Sequence, residues 1–323
     1  MAACVPVALA GCAMMDAGGV TTSPRPAERP AVIAAPPAPQ LVTSQASLAL
    51  ASYYKRLEND ALVRGLLRTD GGGVDTPFTD RMLTDNFMAI ALRTEFEVSG
   101  GAVRQTSAAA PLQRWSAPVD ISVTYGNSVT DAQRALIGRE VLSYTKRLTR
   151  ASGHPVRTTS GGGNFQVFVL SEDERPGFAE RLPQILPGAG SAWQSTIRNL
   201  PRNDLCLVVT FGRANTYTRA IAVIRQELPD LLLRSCLHEE IAQGLGLGND
   251  SPRARPSIFN DDEEFALLTT HDEALLRILY DPRLRRGMTE RTARPIVAQI
   301  ATEVVGQTTT TVAGGPVILG GPV

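Results

Sequence analysis

With 323 residues and 32 basic against 32 acidic side chains, the chain has no net formal charge, which argues against both a basic nucleic-acid stripe and an acidic tail. An apolar fraction of 43% supports a buried core, yet no apolar run approaches the ~20 residues of a membrane-spanning helix. The length suits one large domain with appendages, or two small domains.

The chain opens on "MAACVPVALAGC", apolar and ending in Leu9-Ala10-Gly11-Cys12. This resembles a lipobox, in which small residues precede a cysteine that becomes diacylated. Residues 1–12 are therefore read as a lipoprotein signal peptide. The apolar run is short and no Lys or Arg precedes it, so a start codon placed too far downstream is part of the same reading. Cys12 becomes the lipid anchor and the bilayer the first partner. Ala13 follows it rather than Asp, which favours the outer membrane. The location expected is the cell envelope, facing the periplasm. With Cys4 removed and Cys12 lipidated, Cys206 and Cys236 remain of the four cysteines. An even remainder in an oxidising compartment points to one disulfide, with two buried thiols as the alternative.

Residues 13–43 are rich in Pro and Ala and read as an extended tether. Residues 44–73 form a helical segment, with Leu48, Ala51, Leu57, Ala61 and Leu62 at helical spacing and "DGGG" as its stop. A domain is placed over residues 76–305. "TDNFMAIALRTEFE" fits either helix or strand. Val119, Ile121 and Val123 alternate with polar residues as a half-buried strand does. Asp131 begins a helix reaching about residue 150, and "NFQVFVL" and "DLCLVVTF" are further strands. "RAIAVIR" is a short fourth strand. Pro229 and Asp230 open the helix containing "CLHEEIAQGLGLGND". After a loop, "LTTHDEALLRILYDPRL" forms a helix capped by Thr270, and a last helix covers residues 289–305. Residues 306–323 are read as a disordered tail. The "SGGG" at residues 160–163 lacks the Gly-Lys-Ser/Thr of a phosphate loop.

The segment from Glu239 to Asn249 resembles the H-E-x-x-H-x-x-G-x-x-H helix of metzincin-type zinc peptidases. Glu239, Gln243 and Asn249 stand at the three ligand positions, Glu240 at the general base and Gly246 at the turn. Every histidine is replaced. Two later segments extend the resemblance: Ser257, Ile258 and Phe259 match the turn beneath the metal, with Phe259 in place of methionine, and residues 268–280 match the following helix. Residues 235–250 and 279–288 are also similar to a family of uncharacterised Gram-negative envelope domains, for which no activity follows.

The resemblance implies an α+β fold, with a metzincin-like (zincin-like) mixed sheet of about four strands over a helix that has lost its ligands. One carboxylate and two amides make a poor zinc site, and Ca²⁺ wants six or more oxygens, so no metal or cofactor is expected. His238 reads as a surface or capping residue. The function expected is a non-catalytic pseudo-peptidase module. Its cleft of Glu239, Gln243, Asn249, Asp250 and Phe259 binds a peptide or cell-wall component along an edge strand, and no nucleic acid. Two alternatives stand beside it: a metal-independent hydrolase using Glu240 as general acid or base, and a purely structural envelope lipoprotein.

Overall fold

The computed structural model describes residues 43–260 and 262–309. The segment read as a signal peptide with Cys12, the one read as a tether up to residue 42, and residues 310–323 lie outside that range. Helix α1 (Gln45–Val63) starts at Ser44, whose hydroxyl accepts from the Ser47 amide. Its Tyr54 and Ala61, with Leu67 beyond it, are buried in the same core as the later elements. Residues 43–260 and 262–309 fall in one compact unit.

"TDNFMAIALRTEFE" is helix and strand in succession: α2 (Asp80–Ala91), then β1 (Arg93–Ser99). β1 pairs antiparallel with β2 (Ala102–Ala109). Gly100 and Gly101 join them at φ of +60° and +78°, the conformation of a tight hairpin turn. The main sheet contains β3 (Arg114–Trp115), β4 (Val119–Tyr125), β5 (Val156–Thr158), β6 (Phe165–Leu170), β7 (Cys206–Arg213) and β8 (Thr216–Arg225). Helix α3 (Asp131–Ser152) carries the chain from β4 to β5. Helices α4 (Arg175–Ile185) and α5 (Ser191–Arg198) lie between β6 and β7.

The order across the sheet is β5-β4-β6-β8-β7, with β3 joining the start of β8. All pairs are parallel except β7 with β8, which is antiparallel. A mostly parallel sheet with helices between its strands is mixed α/β, and it replaces the expected α+β arrangement of about four strands. The strand read as short and fourth, β8, is the longest and lies inside the sheet.

Both faces of the sheet are covered, so its inner strands are nearly continuous apolar runs, as parallel strands tend to be. Phe165, Val167 and Val169 of β6 face the core shared with α3 and with α6 (Asp230–Leu245). Phe168 and Leu170 face Phe178, Leu182 and Ile197 of α4 and α5. Beyond α6 lie α7 (Thr270–Leu279) and α8 (Glu290–Thr309). α8 thus extends past residue 305, into the segment read as tail.

The loop between α6 and α7 is pinned by one carboxylate. Asp272 is fully buried. It accepts from the Ser257 hydroxyl, the Ile258 amide, and the Thr269 amide and hydroxyl. Thr269, not Thr270, is the cap of α7, and it forms a reciprocal capping box with Asp272. Removing this carboxylate leaves buried donors unsatisfied. Asp272→Ala is predicted to lower unfolding free energy by about 3 kcal/mol or more, because each buried donor left without an acceptor costs ~1–3 kcal/mol. Thr130→Ala at the exposed cap of α3 costs only about 1 kcal/mol. Urea titrations of both variants check the difference.

Candidate functional site

Helix α6 is buried on nearly every side. The side opposite its Leu233, Leu237 and Ile241 stripe does not face open solvent; it forms the floor of a cleft. Gly244 lets the helix sit close to the sheet, because a Cβ there would lie 2.4 Å from the Phe165 ring. Gly246 ends the helix at φ +129°, with the Gln113 carbonyl 2.6 Å from where a Cβ would stand. The last carbonyls of α6 are satisfied from outside: the Trp115 indole donates to Gly244 O and the Tyr280 hydroxyl to Leu245 O.

The cleft comprises two cavities of about 210 and 200 Å³ that share Glu95, Phe96, Trp193 and Gln243 as lining. Along one wall runs β7, whose other side pairs with no strand among the described residues. The opposite wall is β1 of the hairpin, held by a hydrogen bond from the Glu95 amide to Gly248 O (3.1 Å). Phe96 of β1 meets Trp193 of α5 edge to face at 6.2 Å. The loop before β7 is held by buried Arg225, which donates to Leu200 O, Pro201 O and Asp204 O and pairs with Glu172. The Cys206–Cys236 disulfide joins the first residue of β7 to α6, with 6.0 Å between Cα atoms. Closing a loop of 30 residues contributes about 3.6 kcal/mol in the chain-entropy account.

The second cavity is strongly acidic. Glu95, Asp204, Glu239, Glu240, Asp250 and Glu263 all line it, and no Lys, Arg or His is among its described lining residues. Glu239 is half-buried and Glu240 is 4% exposed. Burial pushes the Glu240 carboxyl well above the ordinary carboxylate range, and the Glu95 and Asp250 charges add to it. Burial acts the same way on Glu239, followed by Asp250, Glu240, Glu263 and Glu95. Glu240 Oε2 is buried without a hydrogen-bond partner. Gln243 donates to Asp250 Oδ1 at 3.2 Å.

The structure thus brings Glu239, Glu240, Gln243 and Asp250 together at one cavity. It does not bring Asn249 or Phe259 there. The Asn249 amide turns away and donates to Ala89 O (2.8 Å) and Asp250 O (2.6 Å). Phe259 is fully buried in the main hydrophobic core. Both leave the cleft set for packing reasons. The donor set does not fit zinc: imidazole is absent from these positions, the Asn249 amide is engaged elsewhere, and Gln243 is tied to Asp250. Among the described residues, no three His, Cys, Asp or Glu side chains are arranged to hold a metal ion.

His238 is not a surface residue. It is 3% exposed and stacked on Tyr144 at 3.9 Å. Its Nδ1 accepts from the Leu268 amide (3.0 Å), so the network assigns the proton to Nε2, which donates to Glu140 Oε1 (2.8 Å). Burial lowers the imidazole pKa, while the His238 hydrogen bond is the leading cause that holds Glu140 at about 2. With its lone pair occupied, His238 serves as a strut.

Glu95, Glu263, Phe96 and Trp193 were not among the residues anticipated at the cleft. The signal for the first and third was "EVSGGAVRQ", two glycines between strand-like runs, which marks a hairpin.

The raised Glu240 sets the sign of a pH effect. In the unfolded chain this carboxyl ionises near the ordinary 4.5. In the folded protein it holds its proton to higher pH. Its contribution is therefore whole below about 4.5 and is lost as pH rises through the window up to the folded value. Glu240→Gln is predicted to match wild-type stability near pH 4 and to exceed it near pH 7.5. Urea midpoints at the two pH values decide it.

Among curated proteins, no sequence matches this chain. Residues 80–299 match a family described as "Protein of unknown function (DUF2927)". That match spans α2 through the first half of α8 and contains the whole acidic cleft. The chain belongs to the DUF2927 family.

Proposed function

We propose that the protein is a lipid-anchored envelope module that binds an extended peptide or cell-wall peptide in a peptidase-like cleft, without peptidase chemistry. The observation that carries this reading is the cleft itself: β7 offers unpaired backbone donors and acceptors along a groove floored by α6. An exposed edge of this kind is the template for strand addition. The metzincin likeness rests on helix α6, the turn at Gly246, and the return of Ser257–Ile258–Phe259 beneath the helix, pinned by Asp272. The replacement of every histidine at the ligand positions supports the non-catalytic part.

Bound peptide is predicted to slow hydrogen exchange of the β7 amides, with affinity unchanged by a chelator. Stoichiometric zinc in protein purified without chelator, together with peptide hydrolysis abolished by Glu240→Gln, would overturn the reading. Anchoring is tested separately. A palmitate analogue fed to cells is expected to label the wild-type chain and not Cys12→Ser. An unlabelled natural precursor removes the anchor from the proposal.

One observation favours a second reading, a metal-independent hydrolase. A buried carboxyl with a raised pKa and an unpartnered oxygen, at a cavity, is the usual state of a general acid. Turnover of a peptide or glycan by metal-free protein, lost in Glu240→Gln, distinguishes it.

A further inference from the structure

We infer that the acidic cavity between β7 and α6 is a specificity pocket for an alkylammonium group, the side chain of a lysine in the bound peptide. This deepens the strand-addition reading of the cleft and rests on it only for the peptide that delivers the cation.

Charge is the first argument. Six acidic side chains line one cavity, and no Lys, Arg or His is among its described lining residues. Such a concentration of negative charge is relieved when a positive group enters. Acidic crowding alone would not mark a site, since carboxylates also gather at solvated surfaces. Here the base of the cluster is not solvated. Glu240 is 4% exposed and its Oε2 has no partner. A buried carboxyl oxygen without a partner is costly, and an ammonium entering beside it would satisfy the oxygen and favour its ionised form.

Size and shape then separate an organic cation from a metal ion. The cavity holds about 200 Å³, several times the ~30 Å³ that one water occupies in the liquid. The carboxylates surround this volume without converging: no three of them are arranged for coordination among the described residues. Between the acids, Leu200, Leu205, Leu207 and Leu232 supply apolar wall beside neutral polar side chains such as Thr196 and Ser235. A lysine matches this distribution. Its methylene stem lies along apolar surface while the ammonium, with three donors, reaches the acids. Phe96 and Trp193 also line the cavity, and aromatic faces attract a desolvated ammonium.

Register links pocket and edge. Cys206 and Leu207 line the acidic cavity, while Val208, Val209 and Thr210 line its neighbour. A strand added along β7 passes both. Its side chains alternate between faces, so every second one points toward α6.

The test uses the full chain and three probes: the peptide acetyl-Thr-Val-Lys-Val-Thr-amide, its norleucine counterpart, and n-butylammonium as the bare lysine side chain. Calorimetric titration is expected to show the lysine peptide binding about tenfold or more tighter than the norleucine peptide, as for a desolvated charge pair. That advantage should vanish in Glu240→Gln and fall in Glu239→Gln, with circular dichroism confirming that both variants fold. Butylammonium should compete with the lysine peptide. Equal affinity for the two peptides overturns the pocket and leaves the edge-strand reading standing. Butylammonium binding that depends on Glu240, without binding of either peptide, upholds the pocket and removes the edge-strand reading. Stoichiometric Ca²⁺ binding that butylammonium cannot displace, or no binding of any probe, overturns the inference.

Discussion

The fold depends on a single carboxylate placed where no water reaches. Asp272 gathers donors from Ser257, Ile258 and Thr269, and so welds the start of α7 to the turn at Ser257–Ile258. Without that junction, the long stretch from Gly246 to Thr269 would have little regular structure to hold it. With it, Ile258 and Phe259 join the core. The loop's near end, Gly248 to Asp250, is in turn what holds β1 and supplies an acid to the cleft.

Asp272 and Glu240 show two ways in which a carboxylate can be buried. Around Asp272 the chain supplies hydroxyl and amide donors, and the charge is solvated by protein. Around Glu240 it supplies other acids, and one oxygen is left bare. The first arrangement serves stability. The second works against it above the ordinary carboxylate range, and such a cost is more readily explained by a ligand than by packing.

Much of this was legible in the sequence, because the physics there is local. Strand alternation at Val119, Ile121 and Val123, the glycine after Leu245, and the helical spacing of α3 each reflect backbone preferences over a few residues. The pairing of Cys206 with Cys236 followed from counting cysteines in an assumed compartment. What stayed hidden was long-range. The glycine pair at Gly100 and Gly101 was present as a signal, but nothing local says that the hairpin folds over α6 and delivers Glu95 to Glu240. Asn249 was placed in the cleft by its position in a motif, while its amide is claimed by Ala89 and Asp250. His238 was misplaced because one turn of sequence cannot reveal Glu140 and Tyr144 arriving from α3.

The disulfide stands in an unusual electrostatic setting. Cys206 and Cys236 both line the acidic cavity, and Cys236 is 2% exposed. Thiol–disulfide exchange proceeds by thiolate attack, and both the attacker and the departing sulfur carry negative charge. Surrounding carboxylates repel an incoming anionic thiol and disfavour the thiolate that must leave. The crosslink is therefore kinetically shielded by the same charges that line the cleft, and a cation filling that cavity would weaken the shield.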